Sequence, residues 1–146
     1  MKTVYDILQH SSSHFNTIHG EASVLDALAL MKIENTSFVI VMDNGHYTGI
    51  MSERDYSQKI ILAGRNSSQT KVKEILSSDV PVININESTD RCKELMLTFK
   101  TQYLPVFDGF EFKGIITLPD LLHASVEENK EQTRANNNTG LQQYWI

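Results

Sequence analysis

The 146-residue chain has one cysteine, three prolines and one tryptophan, and it has no basic excess. A lone Cys92 cannot close an internal disulfide, which favours a reducing, cytoplasmic setting. Thirteen Lys and Arg stand against eighteen Asp and Glu, a formal net charge of −5. Nucleic-acid binders carry a basic face, so nucleic acid is not the expected partner. The densest apolar patches, 38–42 and 60–63, are far too short to span a bilayer, so no membrane partner is expected either. The first six residues lack an apolar h-region, and no secretory signal is expected. Catalytic signatures are missing as well. There is no Gly-x-x-x-x-Gly-Lys-Ser/Thr loop and no Gly-x-Ser-x-Gly elbow. His10, His14, His19, His46 and His123 form no zinc spacing with Cys92. No catalytic residue and no metal ligand is expected, and the chain reads as a non-enzyme of one domain, or of two halves sharing a core.

What is present is a repeat. Gly49-Ile50-Met51-Ser52-Glu53-Arg54-Asp55 returns as Gly114-Ile115-Ile116-Thr117-Leu118-Pro119-Asp120, 65 residues later. Ile18 and Ile83, Ser23 and Ser88, Met31 and Met96, Val41 and Val106, Asp43 and Asp108 keep the same offset. An ungapped offset of this length marks two copies of one supersecondary unit. In each copy an apolar triplet ends a strand and a hydroxyl residue opens a helix. An acid three residues on completes a capping-box pattern, and Pro119 is tolerated in the first turn. The same geometry also suits a nucleotide. Helix N-H groups attract phosphate, a glycine permits close approach, and a carboxylate can accept both hydroxyls of a ribose.

The motif resembles the CBS domain, and two in tandem resemble a Bateman module. The second copy adds Tyr103-Leu104-Pro105-Val106-Phe107-Asp108, similar to the family's Leu-Pro-Val-x-Asp strand. The run Ser52-Glu53-Arg54-Asp55-Tyr56, with Lys59, Gly64 and Arg65 after it, is similar to small stand-alone bacterial CBS-pair proteins. The resemblance covers roughly residues 1–126. It implies an α/β fold of two β-α-β-β-α repeats about a pseudo-twofold axis, with repeat 1 over 1–65, repeat 2 over 66–126 and a polar helical extension and tail over 127–146.

Taken in order, 4–8 reads as a short amphipathic helix echoed by 72–76. The interval His10-Ser11-Ser12-Ser13-His14 reads as a loop, and 15–19 as a strand. Ser23 should cap a helix over 24–34 whose buried stripe is Val24, Ala27, Leu28 and Met31. Residues 38–42 are apolar on both faces and should form a central strand. Asp43-Asn44-Gly45 signals a hairpin. A closing helix over 56–63 and a polar linker over 64–70 follow. In the second copy, Cys92, Leu95, Met96 and Phe99 should be the buried helix face, which makes Cys92 a core residue. Asn136-Asn137-Asn138-Thr139-Gly140 should end the last helix. The apolar Tyr144-Trp145-Ile146 tail reads equally as a docking segment or as disorder.

The resemblance also implies the site. Asp55 and Asp120 would each hold a ribose, and Ser52 and Thr117 would bond ribose or phosphate. The backbone at Thr17, Ile18, Val82 and Ile83 would face the adenine edge, with Ile50 and Ile115 packed on the base. A phosphate needs cations. Arg54, Lys59 and Arg65 lie in or after the first motif, so the Asp55 cleft should take the phosphate end. Arg54 and Lys59 read alternatively as solvated helix charges. The Asp120 cleft should bind a nucleoside portion or stay empty. The implied ligand is an adenine nucleotide (AMP, ATP or NAD(H)), acting in a homodimer on an unidentified effector protein. The rival readings are a structural dimerisation module with vestigial clefts and a nucleotide-processing enzyme.

Overall fold

The computed structural model describes residues 2–10 and 16–144, the last seven of these as backbone only. Met1, residues 11–14 of the expected loop, Phe15 and the final two tail residues fall outside the described residues. Element order is α1 (Val4–His10), β1 (Thr17–Ile18), α2 (Val24–Glu34), β2 (Phe38–Asp43), β3 (His46–Ser52) and α3 (Glu53–Tyr56). A π-helical turn, Ser57–Ile61, and a 3-10 turn, Val72–Glu74, come next. Then follow β4 (Ile83–Asn84), α4 (Thr89–Phe99), β5 (Tyr103–Asp108), β6 (Glu111–Thr117) and α5 (Leu118–Tyr144). The strands form two three-stranded sheets, β1-β2-β3 and β4-β5-β6, each with one parallel and one antiparallel pairing. The repeat extends to irregularities. Each hairpin ladder slips at the same repeat position, between Val41 and Met42 and between Val106 and Phe107.

The period-2 alternation of a strand explains why 38–42 is apolar throughout. Val39 and Val41 point into the first copy's helices, and Ile40 points to the other side. On that other side Ile40, Ile50 and Ile115 form a seam cluster with Phe38, Tyr47, Tyr103 and Phe112 packed against it. Here residues at equivalent repeat positions touch one another. Phe38 meets Tyr103 with ring centroids 4.7 Å apart, and Tyr47 stacks on Phe112 at 5.1 Å. Self-contact of equivalent positions is the mark of a twofold relation, so the pseudo-twofold axis passes through this seam.

The short introductory elements are exchanged between copies. The N-H groups of Val4 and Tyr5 donate to the carbonyls of Glu87 and Ile85, and Val4 and Ile7 join the second copy's core around Cys92, Met96 and Leu104. Reciprocally, the Val72 and Lys73 N-H groups donate to Ala22 and Gly20, and Val72 and Ile75 join the first copy's core around Val24, Met31 and Val41. Each sheet and its helices therefore close over a turn contributed from before the other copy. The 72–76 echo settles as a 3-10 turn, not a helix.

Other expectations sort by locality. α2 spans 24–34 as read, capped by the Ser23 side chain. Cys92 is fully buried, and burial pushes its thiol up to about 11. The hairpin turn at Asn44-Gly45 has both residues at positive φ, which the right-handed strand twist favours. Phe99 is a correction: it lies one turn past the buried Met96, at the last residue of α4 before its Lys100 cap, and is half exposed. The 56–63 helix starts earlier, at Glu53, and widens into the π turn. Asn136 to Gly140 do not end the last helix, because α5 runs through them to Tyr144. With no proline there, a helix already nucleated continues through residues that each cost only about 0.5–1 kcal/mol. Over 127–137 it is largely solvent-exposed.

Candidate functional site

Ser52 ends β3 and caps α3, and the box closes on itself. The Ser52 N-H and hydroxyl donate to Asp55 Oδ2 at 2.9 and 3.0 Å, and the Asp55 N-H donates back to Ser52 Oγ at 3.2 Å. Thr117 and Asp120 repeat the backbone part, at 2.9 Å and 3.3 Å. Helix initiation is thus one use of the motif in both copies.

The first motif forms the floor of a cleft of about 510 Å³ between the copies. This falls within the range of about 300–1,000 Å³ typical of small-molecule sites. Ser52, Arg54, Asp55 and Lys59 line one side. Asp79, Val80 and Pro81, just ahead of β4, line another, and Lys100 to Tyr103, leading into and opening β5, close the third. Asp55 is 5% exposed and its Oδ1 is engaged from two directions. The Ser77 hydroxyl donates to it at 2.7 Å, and Lys59 Nζ lies 2.9 Å away. Lys59 also donates to the Ile75 carbonyl at 2.8 Å and approaches Ser77 Oγ at 3.3 Å. Lys59 is therefore not the solvated surface charge that its helix position allowed. Burial pushes the Tyr103 phenol above its ordinary range, and a hydrogen bond with the Ser52 hydroxyl pulls the other way.

The remaining candidates scatter. Arg65 turns away, its guanidinium 2.6 Å from Glu74. Ile50 is enclosed at the seam and Ile115 nearly so, which leaves neither free to pack on a base in this arrangement. Ile83 of β4 pairs with Val106 of β5 and points into the second core, and Val82 is 55% exposed outside the cleft lining. The segment facing the cleft is instead 79–81, two to three residues earlier. Thr17 is exposed and Ile18 packs against the first core. Thr117 is occupied in its cap, and Asp120 opens on a groove of about 370 Å³ between α1 and α5, beside Asp6, His10 and His123. Among the described residues no cluster could hold a metal ion.

Sequence reasoning missed Ser77 and Lys100. Ser77 lies 22 residues from Asp55 and is brought there by the exchanged turn, so no local pattern marks it. Lys100 caps α4 with positive φ, as Asn35 does 65 residues earlier, and that shared position was its only signal. Gly49 has a use not anticipated. A Cβ there would lie 2.6 Å from Leu76 Cδ1 and 2.7 Å from the Ser77 carbonyl, so its absence admits the 76–77 segment rather than a ligand.

Fold and site define a pair of β-α-β-β-α units facing across a pseudo-twofold seam, with a polar cleft at the junction. The model of the CBS domain family matches residues 4–61 and 72–127, and the chain belongs to that family as a tandem pair. It is 30% identical over 105 residues to the CBS domain-containing protein YhcV of Bacillus subtilis, covering 72% of this chain and 74% of that one. It is 31% identical over 115 residues to the mitochondrial CBS domain-containing protein CBSX3 of Arabidopsis thaliana, covering 75% of this chain but only 56% of that longer protein. Among solved structures, a putative signal-transduction protein with CBS domains from Burkholderia ambifaria superposes with a TM-score of 0.81. It shares 32% identity, with 86% of this chain and 95% of that chain covered. CBS-pair proteins are generally regulatory modules that bind adenine nucleotides, and they are typically not catalytic. Among the described residues no helix is long and apolar enough to cross a membrane.

Proposed function

We propose that the chain binds an adenine nucleotide, of the AMP, ATP or NAD(H) type, in the Asp55 cleft and thereby alters the behaviour of a partner protein. The observation that carries this reading is the composition of that cleft. A carboxylate lies at its floor, a phenol and hydroxyls line its wall, and Arg54, Lys59 and Lys100 stand around it. A ribose calls for the first, and a phosphate calls for cations. The cleft joins both copies, so a ligand bridging them would shift their relative arrangement, provided that it binds one arrangement better. The protein would act as a homodimer, and the lone cysteine favours a reducing, cytoplasmic setting.

Thermal unfolding against AMP, ADP, ATP, NAD, NADH and S-adenosylmethionine tests the proposal. A ligand at about 100 times its dissociation constant adds roughly 2.7 kcal/mol, on the order of 5–10 °C for a domain this size. The shift should persist in Asp120→Ala and vanish in Asp55→Ala, each measured against its own baseline. A second reading, a dimerisation module without a ligand, is favoured by one fact: the acceptor sites of Asp55 are already filled from within the chain. It predicts no shift with any compound.

A further inference from the structure

The filled state of Asp55 implies more than competition. A carboxylate offers about four acceptor sites, and here the Ser52 N-H, the Ser52 hydroxyl, the Ser77 hydroxyl and Lys59 occupy them. A ribose diol needs two. The Ser52 pair is fixed by the capping box, so Oδ1 has to be vacated by Ser77 and Lys59. Lys59 uses its three donors on Asp55, the Ile75 carbonyl and Ser77. Its side chain keeps 40% of its surface in the open cleft while that of Asp55 keeps 6%. It sits in the Ser57–Ile61 π turn, a rare backbone form that recurs at functional sites. A cation drawn off a buried carboxylate needs another anion. A phosphorylated ligand brings one, whereas a neutral nucleoside does not.

We infer that Lys59 is a latch on the Asp55 cleft, opened by exchanging the Asp55 carboxylate for a phosphate oxygen of the ligand. This rests on the reading of the cleft as a nucleotide site and adds a selection rule to it: the cleft discriminates phosphorylated from unphosphorylated nucleosides through Lys59. The latch also has an output. Lys59 and Asp55 both hold the 75–77 segment, and Ser77 exchanges backbone hydrogen bonds with Ile50, at 2.8 and 3.0 Å, inside the seam. Opening the latch releases three ties to that segment: Lys59 to the Ile75 carbonyl, Lys59 to Ser77, and Ser77 to Asp55. The second copy has no counterpart, because Ala124 stands where Lys59 would be.

The test compares AMP with adenosine, by calorimetry and by thermal shift, on the wild-type chain, Lys59→Met and Lys59→Arg. Methionine keeps the packing volume of the stem without the charge. The wild type should prefer AMP strongly. In Lys59→Met the AMP-to-adenosine affinity ratio should fall by roughly tenfold or more, the scale of one hydrogen bond to a charged group, with adenosine itself gaining. Lys59→Arg should keep the preference, which separates loss of charge from a damaged fold. If AMP binds Lys59→Met with the wild-type ratio, Lys59 is a structural tie only and the inference falls while the nucleotide reading stands. If none of AMP, ATP, NAD, NADH and adenosine binds any of the three proteins, both fall together.

Discussion

Asp55 and Asp120 occupy the same place in the two copies and accept the same backbone N-H from a capping hydroxyl residue. Beyond the box they part. Asp55 is buried under Ser77 and Lys59, whereas Asp120 is half-buried, and Thr117 is its one hydrogen-bond partner among the described residues. One difference within the repeat accounts for part of this: Lys59 stands against Ala124. The comparison teaches that a duplicated motif keeps its local role, starting a helix, while its second role depends on a few neighbouring residues and on which segment is laid across it.

The largest expected effect breaks the comparison at its centre. Asp55→Ala should cost roughly 2–3 kcal/mol in urea unfolding. That is below the figure of about 3–5 for a fully buried pair, because Lys59 remains partly in solvent. Asp120→Ala removes only a cap and should cost about 1 kcal/mol. Equal losses would mean that Lys59 and Ser77 contribute nothing to the native state.

A somewhat smaller effect is expected at Gly49. An added Cβ would meet the Ser77 carbonyl and the Leu76 side chain below 3 Å. Gly49→Ala should therefore cost about 1–3 kcal/mol by overpacking and push the 76–77 segment off Asp55. Combined with Asp55→Ala it should cost less than the sum, because the two changes share the Ser77 contact. Additive losses in the double-mutant cycle would disconnect them.

The smallest effect sharpens the comparison at the exchanged turns. Glu21 bridges Lys71 at 2.6 Å and also pairs with Lys73, and the equivalent residue in the second copy is the uncharged Asn86. Hydrogen bonds from the two lysines pull the Glu21 carboxyl down to about 2 from its ordinary value of 4.5. Its contribution is therefore present above about pH 4.5 and is lost as pH falls towards 2. The difference in urea midpoint between the wild type and Glu21→Gln should be small at neutral pH, because these charges are exposed, and should close on acidification. A difference that persists at pH 2 would show that the Glu21 carboxylate charge is not its source.

How far the residues alone reach is clearest in single helices. The bounds of α2 and the burial of Cys92 follow from apolar spacing, and the Ser52 and Thr117 caps follow from a hydroxyl three residues ahead of an acid. Phe99 shows the limit. Its spacing from Met96 is helical, but the core does not extend past the last turn, so it stands half exposed and faces the cleft. Of the expected adenine-edge backbone at Thr17, Ile18, Val82 and Ile83, the second-copy pair lies past the cleft wall of 79–81, because strand register is set by pairing with β5 and not by the strand's own residues.

The duplication, the element order, the capping boxes and the two-faced central strands are legible in the residues alone. These rest on contacts three or four residues apart, or on the alternation of a strand, and such rules are written into a short window. The exchange of the introductory turns, the closing of Ile50 into the seam and the meeting of Ser77 and Lys59 on Asp55 arise from long-range packing. The Ser77–Asp55 bond joins residues 22 apart. Its geometry depends on how the 62–76 connection crosses the first copy, which is set by the packing of Val72 and Ile75 against Val24, Met31 and Val41, far from them along the chain.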